Sequence, residues 1–303
     1  MKQIDNIDRK IITALENDAY VSSQELSKSL DICAPTIRRR VNRLIRNEII
    51  HIQATHINRI KLSLTVSIVL KIENNAIAHT AELLARQKEV GFLLLTAGQY
   101  NMVLLGWFES MEAYSKFLNT ILYPLDGVLE TDIFICVGYR KYAFVALTNN
   151  YQSTNTVMKQ VDDIDSKIIS ALEKDAHQNS TSLAKSLNIS APTVRRRIKN
   201  LLDYNIIRIQ AIPNLRMGKM ITAIISIQVE SNSVDRVADL LAARNEVRQV
   251  LFLTGNFDIG IWAWFGSIEE FASFLNNVLN PMEGITKKQI LIQTEIVKWA
   301  HKW

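Results

Sequence analysis

Two stretches carry most of the side chains able to do chemistry: Ala34-Pro-Thr-Ile-Arg-Arg-Arg-Val-Asn-Arg-Leu44 and Ala191-Pro-Thr-Val-Arg-Arg-Arg-Ile-Lys-Asn-Leu201. Placed on a helix, the first puts Ile37, Val41 and Leu44 on one narrow stripe. Pro35, Arg39, Asn42 and Arg46 lie opposite, flanked by Thr36, Arg38 and Arg43. One side of such a helix docks on a small core, and the other is basic and polar. That chemistry is recognition of a polyanion, because a guanidinium fork pairs with phosphate or with a guanine edge. A solvated charge face is the commoner fate of a basic run. Five arginines between Arg38 and Arg46 without one acid, and a second copy of the run, point instead to nucleic acid.

The other reactive side chains make no comparable constellation. His51 and His56 lack an accompanying carboxylate or thiol cluster, and Arg208 and Pro213 stand at the matching places downstream, so no metal site is expected. His79, His177 and His301 have no partners at catalytic spacing. Cys33 and Cys136 are too few for a disulfide framework and fit a reduced, cytoplasmic protein. No cofactor is expected. The 303 residues are 48% hydrophobic and 21% charged, ordinary values for a protein with ample core. Net charge is only +5, so the positive charge acts locally. The start shows no apolar signal core, and the longest apolar runs fall far short of a membrane span, so no membrane partner is expected.

These residues are positioned by a repeat. Shifted by 157, the sequence aligns with itself without a gap from Asp5–Ala146 to Asp162–Trp303. Asp5–Ala54 and Asp162–Ala211 share 29 of 50 positions, whereas Leu64–Ala146 and Ile221–Trp303 share 26 of 83. The period is too long for a solenoid. A whole two-part unit has been duplicated, and its first part is the better kept. The boundaries read as 1–60 and 61–147, a polar linker at 148–160, then 161–217 and 218–303.

Within the first part, Ile7, Ile11, Ile12 and Leu15 recur at helical spacing, and Ser22 or Ser23 can cap a helix over Gln24–Leu30. Asp31-Ile-Cys33 then turns the chain into the arginine helix. Downstream the turn is Asn188-Ile-Ser190, where Ser190 is the better cap. Short helix, short turn and basic helix spell helix-turn-helix. Alternation over Ile49–Ile57, repeated over Ile206–Ile212, predicts a strand linking this head to the rest. The second part reads βαββαβ: strands at Leu64–Ile72, Val90–Ala97, Met102–Phe108 and Val128–Val137, with helices at Ile77–Arg86 and Ser110–Ile121. The fold class is therefore α+β, with two winged-type helix-turn-helix heads and two ferredoxin-like βαββαβ domains. Such sheets leave one face free to pair with a second sheet.

In order and spacing, Asp-x-x-Ile-Ile, the Thr-Ile-Arg-Arg-Arg-Val run and the turn Gly98-Gln-Tyr-Asn101 resemble the Lrp/AsnC (feast/famine) transcription regulators. The resemblance covers nearly the whole chain, twice. It implies that the arginine helix enters the major groove of double-stranded DNA. Thr36, Arg38, Arg39, Asn42 and Arg43, with Thr193, Arg195, Arg196, Lys199 and Asn200, match the groove-facing positions. Arg40 and Arg197 fall at the flank, within reach of phosphate. It further implies homo-oligomers formed by sheet pairing, and a small effector, usually an amino acid. Effector contact is placed at Gly98, Tyr100 and Asn101 and at Gly255, Phe257 and Asp258. The family's aspartate is Asn101 in the first turn, and its tyrosine is Phe257 in the second. Duplication lets one chain act as an intramolecular pseudo-dimer.

An enzymatic branch of the same layout, the sirohaem decarboxylases, uses a His–Tyr–Arg-rich stretch in the second strand. Here that strand has no ionisable group after Glu89, and its copy offers only Arg248 and Gln249, so no enzyme is expected. A ligand sensor whose heads no longer bind DNA is the other alternative. The matching exposed arginines argue against it.

Overall fold

The computed structural model describes residues 5–17, 19, 21–56, 64–142, 161–174, 176, 180–204, 206–213 and 220–299. The 148–160 linker lies outside them. The first head comprises α1 (Asn6–Asn17), α2 (Ser23–Leu30) and α3 (Ala34–Arg46), and the second α6 (Asp163–Lys174), α7 (Ser180–Leu187) and α8 (Ala191–Asp203). Ser22 begins α2 with a capping box, its hydroxyl accepting from Glu25 N while the Glu25 carboxylate accepts from Ser22 N. The helix stops at Asp31 in left-handed geometry, φ 55°, and Asn188 does the same at φ 54°. Short polar side chains tolerate that region, so the turn into α3 and α8 is set locally.

Each head closes on the other copy. β1 (Ile50–His56) pairs antiparallel with β6 (Ile207–Pro213), from Ile50 opposite Pro213 to His56 opposite Ile207. Ile11, Leu15, Leu26, Ile37 and Leu44 pack with Ala211 of β6, while Ile168, Leu172, Val194 and Leu201 pack with Ala54 of β1. The strand expected to lead out of each head is thus also a clasp between heads.

The βαββαβ order follows as β2 (Leu64–Ile72), α4 (Ile77–Ala85), β3 (Val90–Ala97), β4 (Met102–Phe108), α5 (Met111–Phe117) and β5 (Val128–Tyr142). The second copy gives β7 (Ile221–Val229), α9 (Val234–Ala242), β8 (Val247–Leu253), β9 (Ile259–Phe265), α10 (Ile268–Phe274) and β10 (Ile285–Lys298). Ser110 and Ser267 cap α5 and α10, and both helices widen into a π-turn, at Leu118–Leu122 and Leu275–Leu279. The last strand of each copy is longer than alternation indicates. Cys136–Tyr142 of β5 pairs with β8, and Ile292–Lys298 of β10 pairs with β3. These bonds join the two sheets edge to edge into a closed antiparallel barrel, β10-β3-β4-β2-β5-β8-β9-β7. Pairing is therefore in cis. Its interior holds Phe92, Trp107, Trp262, Trp264 and Trp299, and each helix pair covers an outer face. Among the described residues, no helix is long and apolar enough to cross a membrane.

Candidate nucleic-acid interface and effector turns

Ile37 and Leu44 are fully buried in α3, as are Val194 and Leu201 in α8, which fixes the opposite faces outward. Pro35 and Pro192 stand in the first turn, where a missing N–H costs nothing. Ser190 caps α8 by accepting from Thr193 N at 3.2 Å, whereas Cys33 makes no such cap and its Sγ lies 3.1 Å from Thr36 Oγ1. That hydrogen bond with Thr36 lowers the Cys33 thiol pKa.

Arg38, Arg39, Asn42 and Arg46 are exposed on α3, and Arg195, Arg196, Lys199 and Asp203 on α8. Thr36, Thr193 and Asn200 are half-buried. The remaining arginines are engaged within the heads. Arg40 Nη1 lies 2.6 Å from Asp5 and 2.9 Å from Asp8, and Arg43 pairs with the same fully buried Asp8. Arg197 repeats the arrangement, 2.7 Å from Asp162 and 2.8 Å from Asp165. The Arg40 guanidinium holds the Asp5 carboxyl below its ordinary range; for Asp162, the Asp165 N–H does so first and Arg197 second. So Arg40, Arg43 and Arg197, assigned to DNA from the helix alone, tie it to the start of α1 or α6. Helix α3 itself holds no acid and α8 only Asp203 at its end, but Asp5 and Asp8 recur as Asp162 and Asp165, and that shared pair was the signal. Arg197→Ala is expected to strand buried Asp165 and cost about 3 kcal/mol, read from the denaturation midpoint, while exposed Arg196→Ala stays within about 0.5 kcal/mol.

The two glycine turns lie on the seam between copies. Gly98 has φ +143°, and an added Cβ would come within 2.8 Å of Leu291 on β10. Asn101 clasps the end of β2, its Nδ2 donating to Ile72 O at 2.6 Å and its Oδ1 accepting from Ile72 N at 2.9 Å. Asp258 accepts from Val229 N at 2.8 Å. An amide makes both bonds and a carboxylate only one, which accounts for asparagine in the first turn. Burial raises the Tyr100 phenol pKa first, and the hydrogen bond it donates to Asp132 at 2.6 Å raises it further. Phe257 packs against Phe134 under Lys287, 5.2 Å from its ring. Gly255, φ +112°, sits beside Ile133 and Phe134 of β5. The turn side chains thus have internal work, and the charged groups beside them are neighbours: Glu130, paired with Lys71, at one turn, and Lys287 at the other.

A further contact was invisible in sequence. Arg248 of β8 lies 2.5 Å from Glu16 of α1, with both side chains largely buried, and stacks 4.7 Å over Trp264. The first head is thereby fixed to the second regulatory sheet. The matching position in β3 is Gly91, where Trp107 leaves no room for a side chain. Among the described residues, no cluster of His, Cys, Asp or Glu is suited to a metal ion.

Paired helix-turn-helix heads carrying exposed basic faces, joined to effector-type sheets, define a DNA-binding transcription regulator. A winged helix-turn-helix DNA-binding model matches residues 4–51 and 161–208, and the Lrp/AsnC ligand binding domain matches 65–144 and 222–301. The chain belongs to the Lrp/AsnC family. It is 34% identical over 143 residues to an HTH-type transcriptional regulator of Pyrococcus furiosus, spanning 46% of this chain and 97% of that one. The HTH-type transcriptional regulator LrpA of Pyrococcus horikoshii is 29% identical over 130 residues, 42% of this chain and 92% of its own. Each relative thus corresponds to one of the two copies. The siroheme decarboxylase NirDL shares the fused layout, with a TM-score of 0.63, 14% identity and coverage of 98% of this chain and 93% of its own. At that identity the likeness is one of fold.

Proposed function

We propose that the chain is a cytoplasmic, sequence-specific regulator that grips two adjacent half-sites of one operator. The observation that carries this reading is the pair of exposed faces, Arg38, Arg39 and Asn42 against Arg195, Arg196 and Lys199, on heads clasped through β1 and β6. Half-sites on one DNA face lie about a helical turn, roughly 34 Å, or a multiple of it apart. Arginine to guanine is worth about 1–3 kcal/mol of discrimination, and phosphate contacts add a steep dependence on salt. A gel-shift titration with competitor DNA tests the reading. A competitor-resistant, saturable shift supports it, and purely non-specific binding removes it.

The half-sites are similar and not identical. Asn42 faces Lys199 across the pseudo-twofold, and Arg46 faces Asp203, a reversal of charge at the helix end. The double change Lys199→Asn, Asp203→Arg copies the first face onto the second. Selection from random DNA is expected to recover an asymmetric site for the parent and a more nearly palindromic one for this variant.

The effector is proposed to be an amino acid, the usual ligand class for such domains, held near the Gly98 and Gly255 turns. Side chains of Asn101 and Asp258 are committed to β2 and β7, so contact falls to the turn backbones and the charged rim. One rim carries Glu130 and Asp132 and the other Lys287, which favours different ligands, or one ligand in one turn. Association of such chains into larger homo-oligomers accords with the family's habit. The decarboxylase likeness brings no catalytic residue with it: β3 has no ionisable side chain, and Arg248 of β8 is held by Glu16. An enzyme is therefore not proposed.

A further inference from the structure

The pseudo-twofold relates each residue to one 157 positions on, and four of the places where it breaks inside the barrel exchange character in a common way. Ser67 answers Ile224, Ser226 answers Val69, Gln249 answers Phe92, and Gly260 answers Val103. Each exchange sets a smaller or more polar side chain against an apolar one. All four of these smaller residues line a single cavity of about 60 Å³ between the two sheets. Apolar residues such as Phe134, Leu251, Leu253 and Trp262 complete it, and no charged side chain among the described residues reaches it.

A core built only for packing gains nothing from this. Phe92 shows what the position does when it is structural: it is 2% exposed and makes edge-on contacts with Trp107, Trp262 and Trp299 at 4.7–5.7 Å. Gln249 is equally buried, at 2% exposure, yet its Nε2 donates to no partner among the described residues. A buried amide donor left unmade costs about 1–3 kcal/mol, and the void between the sheets forfeits packing as well. An amide and two hydroxyls converging on an otherwise apolar cavity have the form of a ligand site: an apolar body with a few polar groups that fix orientation.

We propose that this cavity binds a small uncharged carbonyl compound, its oxygen accepting from the Gln249 amide and the Ser226 hydroxyl, and its short aliphatic body packed on Leu251 and Leu253. The volume suits a body of about three or four heavy atoms, well below the roughly 150 Å³ that holds benzene. A zwitterionic amino acid is excluded here, because its two charges would lose their hydration with no counter-charge on the walls. The site is thus distinct in place and chemistry from the glycine turns, and it does not depend on the DNA-binding reading. Gln249 directly follows Arg248, the residue that holds the first head.

The test is saturation-transfer NMR on the full chain with acetone as probe. Transfer to the acetone methyls is expected in the parent protein. In Gln249→Phe, which installs the first copy's own residue, it should vanish while the melting temperature holds or rises. Ser226→Val, again the other copy's residue, removes one neutral hydrogen bond and should weaken acetone binding about fivefold. Absence of transfer in the parent, or equal transfer in parent and Gln249→Phe, overturns the proposal and leaves a cavity filled by water. Should Gln249→Phe fail to fold, unchanged affinity in Ser226→Val overturns it in the same way.

Discussion

Replacing Arg39 and Arg196 together with alanine is expected to lower operator affinity by about 2–6 kcal/mol, roughly 30-fold to more than 10,000-fold. Both side chains are exposed on the outward faces of α3 and α8, and neither takes part in an ion pair among the described residues. Their loss should therefore leave thermal stability within about 0.5 kcal/mol. The contrast with Arg40 and Arg197 makes the prediction sharp, since those two are bound to Asp5 and Asp8 or to Asp162 and Asp165. Removing them should destabilise a head before it touches sequence preference. Quantitative gel shifts, paired with a melting curve for each variant, separate the two classes. If the Arg39, Arg196 double variant kept full operator affinity, recognition would have to lie elsewhere than the arginine helices.

The second large effect concerns Arg248. Arg248→Met takes the cation from a Glu16 carboxylate that is 6% exposed, and breaking such a pair costs about 3–5 kcal/mol. Adding Glu16→Gln should recover most of that loss, because the stranded charge is gone. The sign with pH follows from Glu16 itself. Burial pushes its carboxyl up, against the opposing pull of Arg248. A folded pKa above the unfolded one means that protonation contributes stability below the unfolded value, and that this contribution is lost as pH rises through the folded value. Without Arg248 the folded pKa climbs further. Arg248→Met should thus lie closer to the parent in acid than near neutrality, and Glu16→Gln with Arg248→Met should show no such trend. Denaturant titrations of the three proteins at two pH values read this directly. An equal loss at both pH values would show that Arg248 faces no ionised carboxylate at Glu16.

Much of this architecture was legible in the chain because it is written in local rules. The stripe of Ile11, Leu15, Leu26, Ile37 and Leu44, the serine before α2 and the offset of 157 needed no partner to be read. The strands of the first regulatory sheet begin where alternation placed them. What escaped was set by partners far away in sequence. β5 runs on to Tyr142 because β8 of the other copy supplies its hydrogen bonds, and an unpaired edge carries no signal of who will cover it. Arg40 reads as a surface charge until α1 brings Asp5 and Asp8 beside it. Arg248 sits in a strand of otherwise apolar character, and only the docking of the first head reveals its carboxylate. Gln249 likewise became informative only when the pseudo-twofold set it against Phe92. The glycine turns were found at their expected places, but the demands on Asn101 and Asp258 came from backbone groups of β2 and β7 that no motif displays.

The central claim is that two unlike heads clasped in one chain read one asymmetric operator. Its most direct test is selection of binding sites for the full chain from random DNA, followed by footprinting on the recovered site at two salt concentrations. The account predicts two protected half-sites on one face of the duplex, similar but not interchangeable, with affinity falling steeply as salt rises. Recovery of no consensus, or of a single half-site protected by one head alone, would contradict it.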